Sequence, residues 1–272
     1  MSRLMDASRH GAQAAAHHAK KILVVGGHGK TGLCLLSLLQ DSPHTVTATI
    51  RDSDHAKDVR SYGAEPLIID LEKDCPDIAK GMDAVFFVAG SGGKRLDEVD
   101  LGGLVRVISS AVKHGVGRFI HISSLNIGKQ QSEYVAELEA YYGELGEEVP
   151  ESLHRAIASD GYHRYVGIKE QGEGKLMASG LNYTIFRAGM LTGTVEAPDG
   201  EGKIEAGEGT LSKFGKISRF DVAQCFVSAL DMPEAASKTF TILGGVESID
   251  EALVATTAEA ESSIPGGGAG GA

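Results

Sequence analysis

The chain has 272 residues, enough to bury a sizeable core in one large α/β domain or two small ones. Its formal net charge of −11 argues against a nucleic-acid surface, which needs a basic stripe, and no apolar run approaches a membrane span in length. The three cysteines are far apart and match no metal spacing, which predicts reduced thiols in a cytoplasmic protein without a metal site: Cys34, Cys75 and Cys225.

Both ends of the chain are predicted to lie outside the folded domain. Residues 1–20 are rich in Ala and His, and their weak amphipathic pattern favours a disordered tail over a transit peptide. The last eight residues, Pro-Gly-Gly-Gly-Ala-Gly-Gly-Ala, are typical of a flexible tail, which we place at 254–272. The folded domain is therefore expected over residues 21–253.

A glycine-rich turn follows the first predicted strand. The apolar run at residues 22–25 predicts a buried strand, and leucines at helical spacing from Leu33 predict a helix. Glycines between them let the backbone approach a pyrophosphate closely, and the helix N-terminus offers free N–H groups. We therefore predict a nucleotide site formed by Gly26, Gly27, His28, Gly29, Lys30, Thr31 and Gly32.

The same turn also resembles the end of a P-loop, Gly29-Lys30-Thr31. That motif requires a glycine five positions before Gly29, where this chain has Val24. The dinucleotide interpretation is therefore preferred over an NTPase.

The end of the second predicted strand, residues 45–50, indicates the cofactor. An acidic residue at this point would bind the ribose 2′-hydroxyl of NAD, whereas an arginine would accommodate the 2′-phosphate of NADP. The chain has Arg51 followed by Asp52, and Lys30 adds positive charge in the glycine turn. We predict a preference for NADP, with NAD as the alternative.

Further strands alternate with helices along the middle of the chain. Strands are predicted at 66–69, 84–88 and 118–123, with a helical turn or two at 75–81 and a long helix at 96–114. Apolar strands of this kind specify a parallel sheet covered on both faces. The fifth strand ends in Ser123-Ser124, where ligands bind in such sheets. The glycines that follow the fourth strand indicate either close backbone approach to the cofactor or a loose loop.

The second half of the chain interrupts this alternation. Residues 130–160 are charged and helical in character, with Pro150 inside them, and we interpret them as an insertion. A Gly-, Glu- and Lys-rich segment at 194–216 is a candidate lid. The other predicted elements are a helix over 162–177, a strand at 182–187, a helix at 219–230 and a strand at 238–243.

A tyrosine and a lysine share one face of the helix predicted over 162–177. Tyr165 and Lys169 are four residues apart, and a lysine ammonium beside a tyrosine stabilises the phenolate and lowers the tyrosine pKa. With a hydroxyl from Ser124 to orient the substrate oxygen, this trio has the chemistry to exchange a proton with an alcohol or carbonyl. Ribose binding without catalysis and an exposed helix face are the alternatives.

The chain resembles an atypical short-chain dehydrogenase/reductase of the NAD(P)-binding Rossmann superfamily, from residue 21 to residue 252 apart from the insertion. The resemblance is carried by the glycine turn, by Arg-Phe-Ile-His-Ile-Ser-Ser at 118–124, by the Tyr165–Lys169 pair, and by the segments at 179–189 and 217–223. It implies a doubly wound parallel sheet, with Ser124, Tyr165 and Lys169 in the catalytic places and Ser123 as the alternative serine. Beyond the glycine turn, the cofactor-binding residues expected from it are Arg51, Asp70, Leu71, Ala89, Gly90, Ser123, Lys169 and Arg187.

The function predicted from these features is NADP-preferring hydride transfer to or from a small carbonyl or hydroxyl substrate. The first alternative is a non-catalytic NAD(P)-binding redox sensor, whose protein partner would contact the insertion. The second is a sugar-nucleotide epimerase, for which the C-terminal segment is small. We expect a small-molecule substrate, no nucleic-acid or membrane partner, and either a protein partner or a homodimer.

Overall fold

The computed structural model describes residues 18–209 and 211–262, and within them a sheet of nine strands forms the centre of the fold. The strands are β1 (Lys21–Val25), β2 (Thr45–Ile50), β3 (Glu65–Ile68), β4 (Ala84–Phe87), β5 (Arg118–Ser124), β6 (Tyr183–Ala188), β8 (Lys203–Glu208), β10 (Lys238–Gly244) and β11 (Glu247–Ser248). Their order in the sheet is β11-β8-β10-β6-β5-β4-β1-β2-β3. A separate parallel pair is formed by β7 (Met190–Thr192) and β9 (Lys216–Ser218).

Helices cover both faces of this sheet. They are α1 (Lys30–Leu39), α2 (Ala56–Ser61), α3 (Gly102–Lys113), α4 (Gln131–Glu144), α5 (Glu151–Ile157), α6 (Asp160–Met177), α7 (Arg219–Leu230) and α8 (Ile249–Ser262). A π-helical segment, Leu96–Leu101, precedes α3, and short 3₁₀ turns lie at Ser53–His55 and Pro233–Ala235.

The strand order confirms the predicted doubly wound α/β fold. From β3 to β10 all neighbouring strands pair in parallel, and β8 and β11 add an antiparallel edge. The chain runs outward from β1 in one direction through β2 and β3, and in the other through β4, β5 and β6. In such sheets the ligand crevice lies at the carboxyl ends of the strands where the order reverses, here beside β1 and β4.

Burial on both faces explains why the central strands are apolar throughout. Ile22 and Val24 of β1 pack with α1 and α7 on one face, whereas Leu23 and Val25 pack with α3 and the end of α6 on the other. All of β4 and β5 is buried. An alternating pattern would expose one face to water, so the continuous apolar runs specify a covered parallel sheet.

The predicted insertion at 130–160 folds as two helices with a core of their own. Pro150 is the residue immediately before α5, where its fixed φ and missing N–H are tolerated, so it separates α5 from α4. Tyr134, Leu138 and Tyr142 of α4 pack with Ile157 of α5 and with Phe214 and Leu243 from outside the insertion. The insertion is therefore a packed wall beside the carboxyl end of β5.

Four predictions made from local pattern are corrected by the structure. Residues 75–81 form turns closed by i→i+3 bonds instead of a helix, because Pro76 and Gly81 bound too short a segment. The helix predicted at 96–114 begins as a π-helical segment and ends at Lys113. The segment predicted as a lid contains β8, which pairs with β10 in the main sheet. The flexible tail predicted from 254 is helical to Ser262, where α8 buries Thr256 and Thr257.

The tail predictions at 1–17 and 263–272 lie outside the described residues. Lys20 is anchored: its Nζ lies 2.7 Å from Asp231 Oδ1. The three cysteines are free and buried, and burial raises the pKa of Cys34 to about 11. None of the helices within residues 18–209 and 211–262 is long and apolar enough to cross a membrane.

Candidate functional site

A cavity of about 850 Å³ opens at the carboxyl ends of β1, β2, β4 and β5. Its size falls within the range of small-molecule and cofactor sites. The predicted site residues that line it are Gly26, His28, Gly29, Lys30, Thr31, Arg51, Asp70, Leu71, Ala89, Gly90, Ser123, Tyr165 and Lys169. Fold topology has thus brought together residues that are up to 143 positions apart in the chain.

The glycines of the first turn have separate roles. Gly26 has φ +94°, and a Cβ there would lie 2.7 Å from Ala89 Cα. A Cβ on Gly32 would lie 2.2 Å from the Gly26 carbonyl oxygen, and one on Gly27 would lie 2.6 Å from Ala48 Cβ. Gly27 and Gly32, predicted to bind cofactor, lie outside the cavity lining; they permit the close packing of α1 and β2 that shapes the turn.

The lining of the turn offers backbone donors to a ligand. Helix α1 begins at Lys30 without a side-chain cap, and Gly29, Lys30 and Thr31 all line the cavity. The first N–H groups of an α-helix have no partner within the helix and carry partial positive charge. A turn that has no room for a side chain at Gly26, followed by a helix N-terminus, fits a dinucleotide pyrophosphate.

The far end of the cavity carries the residues that predicted cofactor choice. Arg51 is exposed and lines the cavity, whereas Asp52 Oδ1 accepts the Asp54 N–H at 3.0 Å and caps a 3₁₀ turn. The rings of His28 and His55 stack 3.6 Å apart. His55, which also lines the cavity, was missed at the sequence level because nothing in its local pattern marks it.

Tyr165 and Lys169 lie side by side on α6, as their spacing predicts. Lys169 Nζ is 5.8 Å from the Tyr165 ring centroid, which places the ammonium group over the aromatic ring. Lys169 Nζ also lies 3.8 Å from Asp100 Oδ1, and both side chains are buried. Asp100 Oδ2 accepts the Ser91 N–H at 3.0 Å, which holds the carboxylate in place. Sequence analysis missed Asp100, because it lies within the helix predicted at 96–114 and no motif there marks it as a site residue.

A second, smaller cavity of about 370 Å³ adjoins the first. Its walls come from the end of β5, from α4 and α5 of the insertion, and from β7. No described residue of the predicted lid, 194–209 and 211–216, lines either cavity. The two cavities share four lining residues: Ser123, Tyr165, Leu191 and Arg219.

The two serines at the end of β5 differ in position. Ser123 lines both cavities, whereas Ser124 lines only the smaller one. The hydroxyl oxygen of Ser123 is buried and has no hydrogen-bond partner among residues 18–209 and 211–262. The geometry therefore favours Ser123, the alternative serine of the sequence analysis, at the junction with Tyr165.

Arg187 is outside the site, contrary to its predicted cofactor role. Its Nη2 lies 2.6 Å from Glu173 Oε2, and both side chains are largely buried. The ion pair joins β6 to α6, and Arg187 lines neither cavity. The sequence motif that contains Arg187 could not reveal this ion pair, because only folding brings Glu173 of α6 beside Arg187 of β6.

His121 is a fully buried histidine of β5 next to the site. Burial, with a smaller contribution from the Lys169 charge, lowers the pKa of His121 to about 3. The imidazole is therefore neutral in the folded protein at neutral pH, whereas in the unfolded chain it titrates at its ordinary value near 6.5.

This difference makes His121 a source of acid sensitivity. Between about pH 3 and 6.5 the unfolded chain binds the extra proton, so stability falls as the pH falls. At pH 5 the expected loss from this group is about 2 kcal/mol. Urea unfolding of His121→Leu should show a shallower decline from pH 7 to pH 5 than the wild type. Parallel declines would contradict the assignment.

Comparison with known proteins agrees with this geometry. The chain matches the NAD(P)H-binding family over residues 26–233. It is 32% identical to the uncharacterized sugar epimerase YhfK of Bacillus subtilis over 246 residues, 86% of this chain and 98% of the relative. Its fold is similar to that of a Bacillus halodurans protein classed as an NAD-dependent epimerase/dehydratase (TM-score 0.69, 27% identity, covering 87% of this chain and 100% of the other).

A more distant structure is informative for the fold alone. A wide-type short-chain dehydrogenase/reductase from Veillonella parvula, solved in complex with NADP, has a TM-score of 0.59 at 17% identity and covers 82% of this chain and 94% of the other. These comparisons confirm the predicted membership in an NAD(P)-binding Rossmann family.

Proposed function

Because the chain belongs to the NAD(P)H-binding family of Rossmann proteins, we propose that it is an NADP-preferring oxidoreductase acting on a small carbonyl or hydroxyl substrate. The observation that carries this proposal is the junction of the two cavities. Ser123 and Tyr165 line both, so a dinucleotide in the larger cavity and a substrate in the smaller one would meet at these hydroxyls.

The residues of the chain account for binding of the cofactor. The N–H groups of Lys30 and Thr31 at the start of α1 would hold the pyrophosphate beside Gly29, whose own N–H donates to the Gly26 carbonyl. Arg51 would contact the adenosine ribose. When bound, the nicotinamide cofactor supplies or accepts the hydride. The cavity volume and the cradle at Gly26 fit a group of this size and charge.

The proton is handled by the residues at the junction. In the reducing direction the Tyr165 hydroxyl donates its proton to the carbonyl oxygen as the carbonyl carbon gains the hydride, which gives the alcohol. Lys169 stabilises the phenolate left behind, and Ser123 donates a hydrogen bond to the same substrate oxygen. Asp100 positions Lys169 through the buried ion pair. The phenolate recovers its proton from solvent.

The preference for NADP is supported by charge at the adenosine end. Among residues 18–209 and 211–262 Arg51 has no ion-pair partner that would compete with a 2′-phosphate, whereas one oxygen of Asp52 is already used by the Asp54 N–H. Hydrogen bonds to charged groups contribute roughly 1.5–3 kcal/mol. Arg51→Gln is therefore expected to weaken NADP binding at least tenfold while changing NAD binding little.

Fluorescence titration of both dinucleotides measures this selectivity. Arg60→Gln is a matched control, because Arg60 is an exposed arginine of α2 outside the cavity lining. Equal losses of NADP and NAD affinity in Arg51→Gln would show that Arg51 does not recognise the 2′-phosphate.

A second candidate function is a redox sensor that binds NADP(H) without turnover. Asp100 favours it, because a carboxylate 3.8 Å from Lys169 offsets part of the positive charge that the phenolate needs. A sugar-nucleotide epimerase, suggested by the description of the Bacillus subtilis relative, is disfavoured by the smaller cavity, whose volume is less than half that of the dinucleotide cavity.

Turnover assays separate these functions. An oxidoreductase consumes NADPH when a panel of small ketones and aldehydes is added, as followed by loss of NADPH absorbance. A sensor binds NADPH tightly, consumes none across the panel, and retains a protein partner in pull-downs only with or only without the cofactor. Failure to bind either nicotinamide dinucleotide would overturn both functions.

A further inference from the structure

Two buried polar atoms in the smaller cavity have no partner within the described parts of the chain. They are Ser123 Oγ and Asn126 Oδ1, on residues that are 6% and 8% exposed. Both residues line this cavity. Leaving a buried polar atom unpaired costs roughly 1–3 kcal/mol, so such atoms in a ligand-sized cavity indicate what the ligand provides.

The orientation of the Asn126 amide follows from its neighbours. Asn126 Nδ2 donates to the Tyr162 hydroxyl oxygen. Burial raises the pKa of both Tyr134 and Tyr162, and the hydrogen bond between their hydroxyls adds to this rise at Tyr162 and opposes it at Tyr134, as expected if Tyr162 is the donor. Tyr162 is thus an acceptor toward Asn126, and the amide oxygen is the atom left over. An amide oxygen can only accept, so its missing partner is an N–H or O–H group.

The rest of the cavity is mainly apolar and small. Its walls include aliphatic side chains from β5, the insertion and β7: Leu125, Leu153, Ile157, Met190 and Leu191. Among its lining residues only Arg219 is charged; it sits at the boundary with the dinucleotide cavity, and its Nη1 donates to the Gly193 carbonyl at 2.8 Å. The interior therefore suits an uncharged ligand body, whose burial is favourable against such walls.

We propose that the smaller cavity binds a small, uncharged, mainly apolar carbonyl compound that carries one N–H or O–H group besides the reacting carbonyl. The reacting oxygen accepts from Ser123 and Tyr165, and the additional group donates to Asn126 Oδ1. Asn126 is then the residue that determines substrate specificity. The identity of the reacting group rests on the proposed function, but the binding preference does not.

Matched ligands test the preference without turnover. The probes are the three ring isomers of hydroxyacetophenone, their methyl ethers, and acetophenone, titrated calorimetrically into the full chain saturated with NADP⁺. A methyl ether keeps the bulk of the phenol but loses the donor. At least one hydroxyl isomer should bind tenfold or more tightly than its own ether, which corresponds to about 1.4 kcal/mol or more.

Two variants of Asn126 assign this preference to its amide oxygen. Asn126→Leu removes the acceptor and should bind hydroxyl and methoxy ligands equally. Asn126→Asp keeps an acceptor oxygen and should retain the hydroxyl preference. The thermal unfolding midpoint and the NADP⁺ affinity of each variant report whether the fold and the larger cavity are intact. A hydroxyl preference that persists in folded Asn126→Leu overturns the assignment.

The remaining outcomes separate this inference from the proposed function. Equal binding of hydroxyl and methoxy ligands by the wild type, or no binding of any probe, overturns the inference. Tighter binding of 4-acetylbenzoate or UDP-glucose than of every neutral probe also overturns it, because Arg219 would then dominate recognition. If the hydroxyl preference is found but no probe is reduced by NADPH, the inference stands and the proposed function fails.

Discussion

Tyr165→Phe is expected to lower kcat for carbonyl reduction by roughly 100-fold or more, because removing a general acid costs about two to four orders of magnitude. The substitution deletes only the hydroxyl, which lies in the lining shared by both cavities. The backbone and the Lys169–Asp100 ion pair do not depend on that oxygen. Cofactor affinity should therefore change less than threefold.

Steady-state kinetics and NADPH titration of the same preparation measure the two effects. Tyr141→Phe is a suitable control, because Tyr141 of α4 packs against Phe214 and lines neither cavity. A variant that keeps full activity would remove Tyr165 from the mechanism. A variant that loses NADPH binding together with activity would instead support a role for Tyr165 in holding the cofactor.

Gly32→Ala is expected to destabilise the protein and to abolish tight dinucleotide binding. The new Cβ would lie 2.2 Å from the Gly26 carbonyl oxygen and 2.7 Å from that of Gly27, so α1 or the turn must move. Overpacking of this kind costs roughly 1–3 kcal/mol. Displacing α1 also moves the N–H groups of Lys30 and Thr31 away from the pyrophosphate, so NADP affinity should fall at least tenfold.

The control for this prediction is another helical glycine. A Cβ on Gly174 of α6 meets nothing within 4 Å, so Gly174→Ala should stabilise the protein by roughly 0.5–1 kcal/mol. Urea unfolding and NADP titration of both variants test the pair. If Gly32→Ala binds NADP as the wild type does, the turn does not shape the pyrophosphate site.

Local sequence patterns predicted the bounds of helices and strands well where the residues of the apolar pattern are the ones that become buried. The helix at 219–230 and the strand at 45–50 have the bounds expected of them, because helical and strand periodicities there coincide with real buried faces. The same patterns failed at 75–81 and at the C-terminal end, where α8 shows only a modest apolar pattern and is held by packing against β8 and α7. Tertiary contacts override weak local preference at such positions.

Only residues that belong to a recognisable sequence motif could be predicted as site residues. Glycines between a strand and a helix, and a tyrosine four residues before a lysine, carry their chemistry in their order along the chain. Asp100 and Asn126 carry no such signal: each is an ordinary polar residue in its own segment. Arg219 belongs to the 217–223 segment that carries the family resemblance, but its position at the boundary of the two cavities was not predicted. All three became site residues because β4 and β5 end, and α7 begins, near one another.

By itself, the order of residues determined the parallel sheet, the glycine turn and the Tyr165–Lys169 pair, because these depend on neighbours within a few positions. Only the tertiary structure decided that Ser123 lines both cavities with Tyr165 whereas Ser124 lines one, and that Arg187 pairs with Glu173. It also decided that Asn126 Oδ1 has no partner among residues 18–209 and 211–262. The physical reason is that hydrogen bonding and burial are settled by atoms from distant segments, which a one-dimensional pattern does not bring together.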